Sequence, residues 1–285
     1  MASATPTSKT IAVDGIRLHY LEWGRSGHPV VCVHGLSANA HFWDPIAEEL
    51  AADYRVIAFD LRGRGDSDKP PSGYGFHYHA GDVCGLIERL GLGPVYLIGH
   101  SLGAMIAVYF AATFPQLVRK LVLVDGGTDV TRPEILAGLA ASLSRLGQVY
   151  PSVEIYLDAL KQAPFYRDQW NEYAERYVRF DFEAVEGGFR SKVPKQAIEA
   201  EINAQPGFRL RDLHRQIKAP TLILRAPHGL VTATDYVLSP VEAEAMRLAI
   251  ANSDLVTVPD INHYTILLQK PPLVVAAIGE FLRRP

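Results

Sequence analysis

A mostly parallel β-sheet covered on both faces by helices, and interrupted by a helical insertion, is the architecture this chain predicts. Three observations carry it. Short apolar, β-branched runs alternate with amphipathic stretches along both ends of the sequence. That rhythm stops between about Thr128 and Arg215, where helical spacing dominates and no strand is evident. It resumes at PTLILRA (220–226) and runs to the end. The expected division is therefore a core of 1–127 and 216–285 around a helical cap of 128–215.

In order, IAVDGIRLHYLEW (11–23) reads as a hairpin turning at Asp14-Gly15. The ten residues before it, MASATPTSKT, carry no hydrophobic stretch and read as a disordered lead-in rather than a secretory signal. PVVCVH (29–34) is a continuous apolar strand, FWDPIAEELAA (42–52) an amphipathic helix and YRVIAFD (54–60) the next strand. A Gly- and Arg-rich loop leads to a helix over 77–92, then to strand VYLI (95–98) and helix AMIAVYFAATF (104–114). KLVLVD (120–125) is a strand, and beyond the insertion come a strand at 220–226, a helix at 240–250, a strand at 254–260 and a last helix at 271–282.

Composition narrows the function classes. The chain has 285 residues, 48% hydrophobic and 21% charged, enough apolar content for a large core. The net charge of −3 comes from both signs mixed along the chain, with no basic stripe of the kind nucleic-acid binding needs. No apolar run reaches the length of a membrane span. Two cysteines, Cys32 and Cys84, sit in apolar or helical contexts and give neither a disulfide framework nor metal-ligand spacing. The default compartment is therefore reducing and cytoplasmic. His77 and His79 lack a third ligand nearby, so no metal and no cofactor is expected. Nothing in the sequence specifies an oligomeric state.

The chemistry is concentrated at Gly99-His100-Ser101-Leu102-Gly103, which lies between a strand and a helix. A serine on such a turn is strained and held out at the carboxyl end of its strand, whereas the bland alternative is a helix-capping serine. A serine hydroxyl needs a base, and His263, on the loop after the last strand in DINHYTILL (260–268), is the best placed of ten histidines. The base in turn needs a carboxylate. Asp235 before the helix at 240–250 and Asp125 at the end of strand 120–125 both qualify. Oxyanion donors are expected from the Leu102 N–H at the helix start and the Leu36 N–H in His34-Gly35-Leu36. His34 and His100 read as structural. Phe42, Trp43 and Tyr264 flank these loops and are candidates for the pocket wall. The aromatics dense in 150–189 read mainly as the insertion's own core.

Together His34-Gly35-Leu36, Asp60-Leu61-Arg62-Gly63-Arg64-Gly65-Asp66-Ser67, the turn at Gly99–Gly103 and His263 resemble the α/β-hydrolase superfamily over nearly the whole chain. The tripeptide Arg64-Gly65-Asp66, of adhesion type, reads as coincidence within a structural loop. The resemblance implies a Ser–His–acid triad, no cofactor and a helical cap that sets substrate choice. Where many members have Gly-Asp-x-Asp after the strand at 221–225, this chain has Arg225-Ala226-Pro227-His228-Gly229. Asp235-Tyr236-Val237-Leu238-Ser239-Pro240 is similar to the family's Asp-x-x-Val-x-Pro, which favours Asp235, and relatives that take the acid one strand after the nucleophile keep Asp125 as the alternative. Serine rather than aspartate at the turn implies acyl transfer. The expected activity is hydrolysis of a carboxylic ester on a small molecule with an apolar or aromatic group. Lactone or amide hydrolysis, cofactor-free carbon–carbon cleavage, or a receptor without turnover are the alternatives.

Overall fold

In the computed structural model, which describes residues 5–129, 135, 143–164, 166, 169–204, 207–229 and 235–285, eight strands form one sheet in the order β1-β2-β4-β3-β5-β6-β9-β10. These are β1 Thr7–Val13, β2 Ile16–Trp23, β3 His28–Val33, β4 Tyr54–Phe59, β5 Val95–His100, β6 Val118–Val124, β9 Thr221–Arg225 and β10 Ser253–Thr257. β1 and β2 pair antiparallel, β2 pairs antiparallel with β4, and from β4 to β10 every pairing is parallel. The core helices are α1 Asp44–Leu50, α2 Phe76–Arg89, α3 Leu102–Thr113, α7 Pro240–Ala249, the short α8 Thr265–Leu268 and α9 Pro272–Arg283.

The alternation of side chains along the strands sorts the core into two layers. Val31 and Val33, Ile57 and Phe59, Leu97, Leu121 and Leu123 face α2, α3 and α7. Their neighbours Val30 and Cys32, Val56 and Ala58, Ile98, Val122 and Val124 face α1, α8 and α9. Because both faces are covered, these strands read as unbroken apolar runs, and each fully buried aliphatic side chain is worth about 1.5–3 kcal/mol. The last helix is also tied down by charge. Lys120 is buried in β6 and its ammonium donates to the carbonyls of Phe281 and Leu282 at 3.1 and 3.0 Å and to that of Arg284, the end where a helix dipole favours a cation.

Between β6 and β9 the described insertion contains α4 Val153–Lys161, α5 Glu172–Asp181, a hairpin of β7 Phe182–Val185 and β8 Gly188–Ser191, and α6 Lys195–Asn203. Its own core gathers Val153, Leu157, Val178 and Phe182 with Tyr150, Tyr156, Trp170, Tyr177 and Phe189. Two expectations are corrected here. The insertion is not purely helical, because β7 and β8 pair across Glu186-Gly187, with Gly187 at φ 84°. Nor is the amino-terminal stretch all lead-in, because Thr7–Thr10 pair with His19–Glu22 as part of β1. Phe165 lies outside the described residues.

Two glycines separate backbone demand from mere preference. A Cβ on Gly103 would sit 2.0 Å from the Val33 carbonyl oxygen, a backbone atom that cannot step aside, because α3 packs directly onto β3. A Cβ on Gly81, inside α2, would meet nothing within 4 Å. Gly103→Ala is therefore expected to destabilise the protein by about 3 kcal/mol or more, and Gly81→Ala to stabilise it by about 0.5–1 kcal/mol through helix propensity. Urea midpoints of the two variants check this, and shifts of the same sign would contradict it.

Candidate active site

Ser101 leaves β5 at φ 55°, ψ −121° and is followed at once by α3. This is a backbone state that costs a non-glycine residue on the order of 1–3 kcal/mol. It is held by the Ser101 N–H donating to the Val124 carbonyl of β6 at 3.1 Å, and by the Ala104 and Met105 amides donating to the Ser101 carbonyl. The Ser101 side chain makes no capping bond to its own helix, which removes the reading of a mere N-cap. The hydroxyl thus stands at the amino end of α3, beside the unpartnered first amides of a helix.

The loop after β3 closes against it. A Cβ on Gly35 would lie 3.2 Å from the Ser101 Cβ and 3.6 Å from its Oγ, a close fit that a side chain there would tighten. Leu36 follows directly, which brings its N–H to the same end of the sheet as the Leu102 N–H. His34 braces this loop. Its Nδ1 lies 2.8 Å from the Gly35 carbonyl and must donate, while its Nε2 accepts from the Leu61 N–H at 3.0 Å. Both partners require the neutral ring, and burial lowers the His34 pKa to about 4.

His263 lies on the loop after β10. Asn262 fixes that loop, since its Oδ1 accepts from the Tyr264 and Thr265 amides while its own N–H donates to the Thr265 hydroxyl. Its ring packs on that of His100 with centroids 4.4 Å apart, which places it beside the residue preceding Ser101. His100 Nε2 donates to the His263 carbonyl at 2.9 Å, and burial, then the neighbouring His263, hold the His100 pKa well below the ordinary imidazole range.

The carboxylate that meets His263 is Asp125, not Asp235. His263 Nδ1 lies 2.7 Å from Asp125 Oδ2, both residues being buried. Asp125 ends β6 with φ 43°, its N–H donates to the Leu224 carbonyl, and its Oδ1 accepts from the Ala226 N–H at 3.0 Å. This aspartate is therefore clamped between β6 and β9 with one oxygen left for the imidazole. Asp235 is buried as well, but the acid contact favoured for it from the sequence belongs to Asp125. With Nδ1 engaged as a donor, Nε2 carries the lone pair.

The expected pocket wall is only partly found. Trp43 is fully buried in the core, and Phe42 is 1% exposed, its ring wedged 4.7 Å from His100 and 5.3 Å from Tyr177. Neither ring presents accessible surface in this structure. Tyr264 keeps accessible surface, lies 5.7 Å from the His263 ring and 5.8 Å from Tyr166. Burial raises Tyr156 to about 12 and pushes Tyr166 and Tyr177 upward, so these phenols stay protonated as donors. This ring of tyrosines, with the buried Arg145 guanidinium near Tyr156 and Tyr177, is more polar than the aromatic content of the sequence suggested. Arg64 is fully buried, so Arg64-Gly65-Asp66 is not displayed for adhesion. Among the described residues no group of three His, Cys, Asp or Glu converges as a metal site, and no helix is long and apolar enough to cross a membrane.

Comparison with known proteins agrees with this fold. A family model described as alpha/beta hydrolase fold matches residues 28–269. The chain is 31% identical over 281 residues to the 2-(acetamidomethylene)succinate hydrolase of Mesorhizobium japonicum, covering 96% of this chain and 95% of that protein. A crystal structure of E-2-(acetamidomethylene)succinate hydrolase superposes with a TM-score of 0.86 at 26% identity, covering 98% of this chain and all (100%) of that one. A thermophilic esterase from Thermogutta terrifontis superposes with a TM-score of 0.73 at 28% identity, covering 98% of each chain.

The neutral His34 makes a measurable demand. Its pKa is lower in the folded than in the unfolded chain, so the unfolded chain binds the proton more readily, and stability falls as pH drops from about 6.5 towards 4. At pH 5 the loss from this residue alone is about 2 kcal/mol relative to pH 7.5. Urea unfolding at the two pH values should show it, and His34→Gln, which keeps a donor and an acceptor but does not titrate, should flatten that part of the slope.

Proposed function

This chain belongs to the α/β-hydrolase fold superfamily, and on that premise we propose that it is a serine hydrolase that cleaves a carboxylic acyl bond of a small molecule, a carboxylic ester in the first reading, through an acyl-enzyme. The observation that carries the proposal is the 2.7 Å contact of His263 Nδ1 with Asp125 on a ring packed beside the strained Ser101 turn. Asp125 fixes the tautomer and stabilises the imidazolium that forms when Nε2 takes the Ser101 proton. Ser101 Oγ attacks the carbonyl carbon, and the Leu36 and Leu102 amides receive the oxyanion. His263 returns the proton to the leaving group, and a water activated by the same imidazole releases the acid. No cofactor enters this sequence. Residues 128–215 act as the cap whose tyrosines shape the acyl pocket.

A second reading, hydrolysis of an amide, is favoured by the full-length similarity to 2-(acetamidomethylene)succinate hydrolase. The same triad serves it, with His263 protonating a departing nitrogen. The tyrosine hydroxyls around Tyr166 and Tyr264 suit a substrate with polar or carboxylate groups. Rates on a matched 4-nitrophenyl ester, a lactone, an anilide and an N-acyl enamine bearing carboxylates distinguish the two.

Ser101→Ala is expected to lower turnover by several orders of magnitude and to abolish labelling by a serine-directed phosphonate, read by intact mass. Unchanged turnover would refute the proposal. Asp125→Asn should lower kcat by about 10³- to 10⁴-fold, whereas Asp235→Asn should stay within about tenfold of the parent. The reverse order would return the acid role to Asp235.

A further inference from the structure

The loop that carries the Leu36 N–H is held by charged groups. The Leu36 carbonyl accepts from Arg64 Nε at 2.9 Å, and the next carbonyl, that of Ser37, accepts from Arg145 Nη2 at 2.9 Å. Arg145 Nη1 also reaches the Ser37 hydroxyl at 3.4 Å. Each guanidinium is backed by a buried carboxylate of the insertion. Arg64 Nη2 lies 3.1 Å from Glu201 on α6, and Arg145 Nε lies 3.2 Å from Asp181 at the end of α5. Glu201 is fixed further by His79 Nε2 at 2.6 Å and by the Gly75 N–H at 3.1 Å, and Arg64 Nη1 donates to the Arg62 carbonyl at 2.8 Å. All four charged side chains are at most 9% exposed.

Peptide units are planar, so an N–H points opposite to the carbonyl of the preceding residue. The unit bearing the Leu36 N–H has the Gly35 carbonyl, which accepts from His34 Nδ1 and from the Ala38 N–H. The following two units have the Leu36 and Ser37 carbonyls, held by Arg64 and Arg145. Three successive peptide planes are thus hydrogen-bonded through their carbonyls, which opposes a swing of the Leu36 N–H. Each ion pair is also oriented with its cation against the loop and its anion beyond. That dipole favours negative charge on the loop side in a site shielded from water.

We propose that Arg64, Arg145, Glu201 and Asp181 are positioning residues for the oxyanion site, so that the insertion sets transition-state stabilisation as well as substrate access. This rests on the acyl-transfer reading with the Leu36 N–H as donor. A misaligned oxyanion donor weakens binding of the transition state more than of the ground state, so the loss falls on kcat.

The test pairs a 4-nitrophenyl ester with its thionoester. A developing thiolate draws far less on N–H donors than an oxyanion does. Neutral double variants, Arg64→Met/Glu201→Gln and Arg145→Met/Asp181→Asn, avoid leaving a buried charge alone. Each is expected to lower kcat on the oxygen ester by about 10- to 100-fold, less than the loss of a donor outright. KM should hold within about threefold, and the thionoester rate should change by less than about threefold. Arg64→Lys and Arg145→Lys, which keep each buried charge paired and serve where a double variant fails to fold, should reduce the oxygen-to-sulfur ratio in the same direction by about 3- to 10-fold. A ratio equal to the parent's in all variants, whether both rates fall together or neither falls, overturns the positioning role. Ser101→Ala run alongside keeps the two ideas apart. If it abolishes both reactions while the ratio stays constant, acyl transfer stands and only the pinning fails.

Discussion

The bend at Ser101 is the constraint on which the rest of the site depends. A residue at φ 55°, ψ −121° is tolerated only when both flanks are fixed, and here β5 is buried in the middle of the sheet while α3 is buried along most of its length. The same crowding dictates the neighbours. The β3 carbonyls lie against Gly103, Gly35 lies against the Ser101 side chain, and β6 accepts the Ser101 N–H. The groups that approach Ser101 are therefore those at the carboxyl ends of β3 and β6, the two strands that flank β5, together with the loop that returns after β10. In a parallel sheet those ends lie on one side, which is how residues distant in sequence come to share one volume.

The protein handles charge at that end of the sheet by burying ion pairs rather than by exposure, although Asp181 Oδ1 is buried without a hydrogen-bond partner among the described residues. Asp60 is fully buried and ionised, accepting from His19, from the Ala40 N–H at 2.7 Å and from the Asp66 N–H at 2.9 Å, with His19 the main cause of its lowered pKa once burial is overcome. Arg62 makes two bonds to Asp82 at 2.7 and 2.6 Å. Pairs of this kind add little net stability over a well-packed apolar core, because desolvation consumes most of the attraction. What they supply is geometry. A loop crossing the end of a sheet has no ladder to hold its carbonyls, and directional donors such as a guanidinium fork replace that ladder. The loops after β3 and β4 are tied to each other and to the insertion in this way, which gives a rigid rim around Ser101 without regular secondary structure.

How much of this was legible in the chain differs from residue to residue. The central strands were plain because runs such as VVCV are apolar at every position, which only a doubly covered sheet requires. Ser101 and His263 were plain because a glycine-framed serine between strand and helix, followed far later by a histidine after the last strand, has few other uses. Asp125 and Asp235 could not be separated by pattern. Which one reaches the imidazole depends on contacts between segments distant in sequence, such as the Asp125 Oδ1 bond to the Ala226 N–H just past β9. The hairpin of β7 and β8 is faint in the sequence because its strands have four residues each, although Glu186-Gly187 between FEAV and GFRS is a usable turn signal. Thr7–Thr10 form an edge strand whose side chains are exposed, so they carry no hydrophobic alternation to read. Phe42 and Trp43 lie close to the site in sequence, but sequence does not tell how much of a ring stays accessible, and both are buried.

The insertion looks at first like a separate module, with its own small core around Val153, Leu157, Val178 and Phe182. Its contacts with the rest of the molecule argue otherwise. Asn39, which starts the turn behind the Leu36 loop, donates to the Tyr177 carbonyl, and Arg176 reaches down to Asp44 at 2.8 Å. Arg145 and Glu201 act on the same turn from two further positions of the insertion. A loop anchored from so many directions gains its order from the sum, because each added anchor acts on a chain already restricted by the others. On the proposed acyl-transfer reading, substrate choice and transition-state binding would then be coupled through the insertion. Under the positioning role proposed for Arg64 and Arg145, a change in α5 or α6 that displaced Asp181 or Glu201 would act on the Leu36 loop as well as on the pocket.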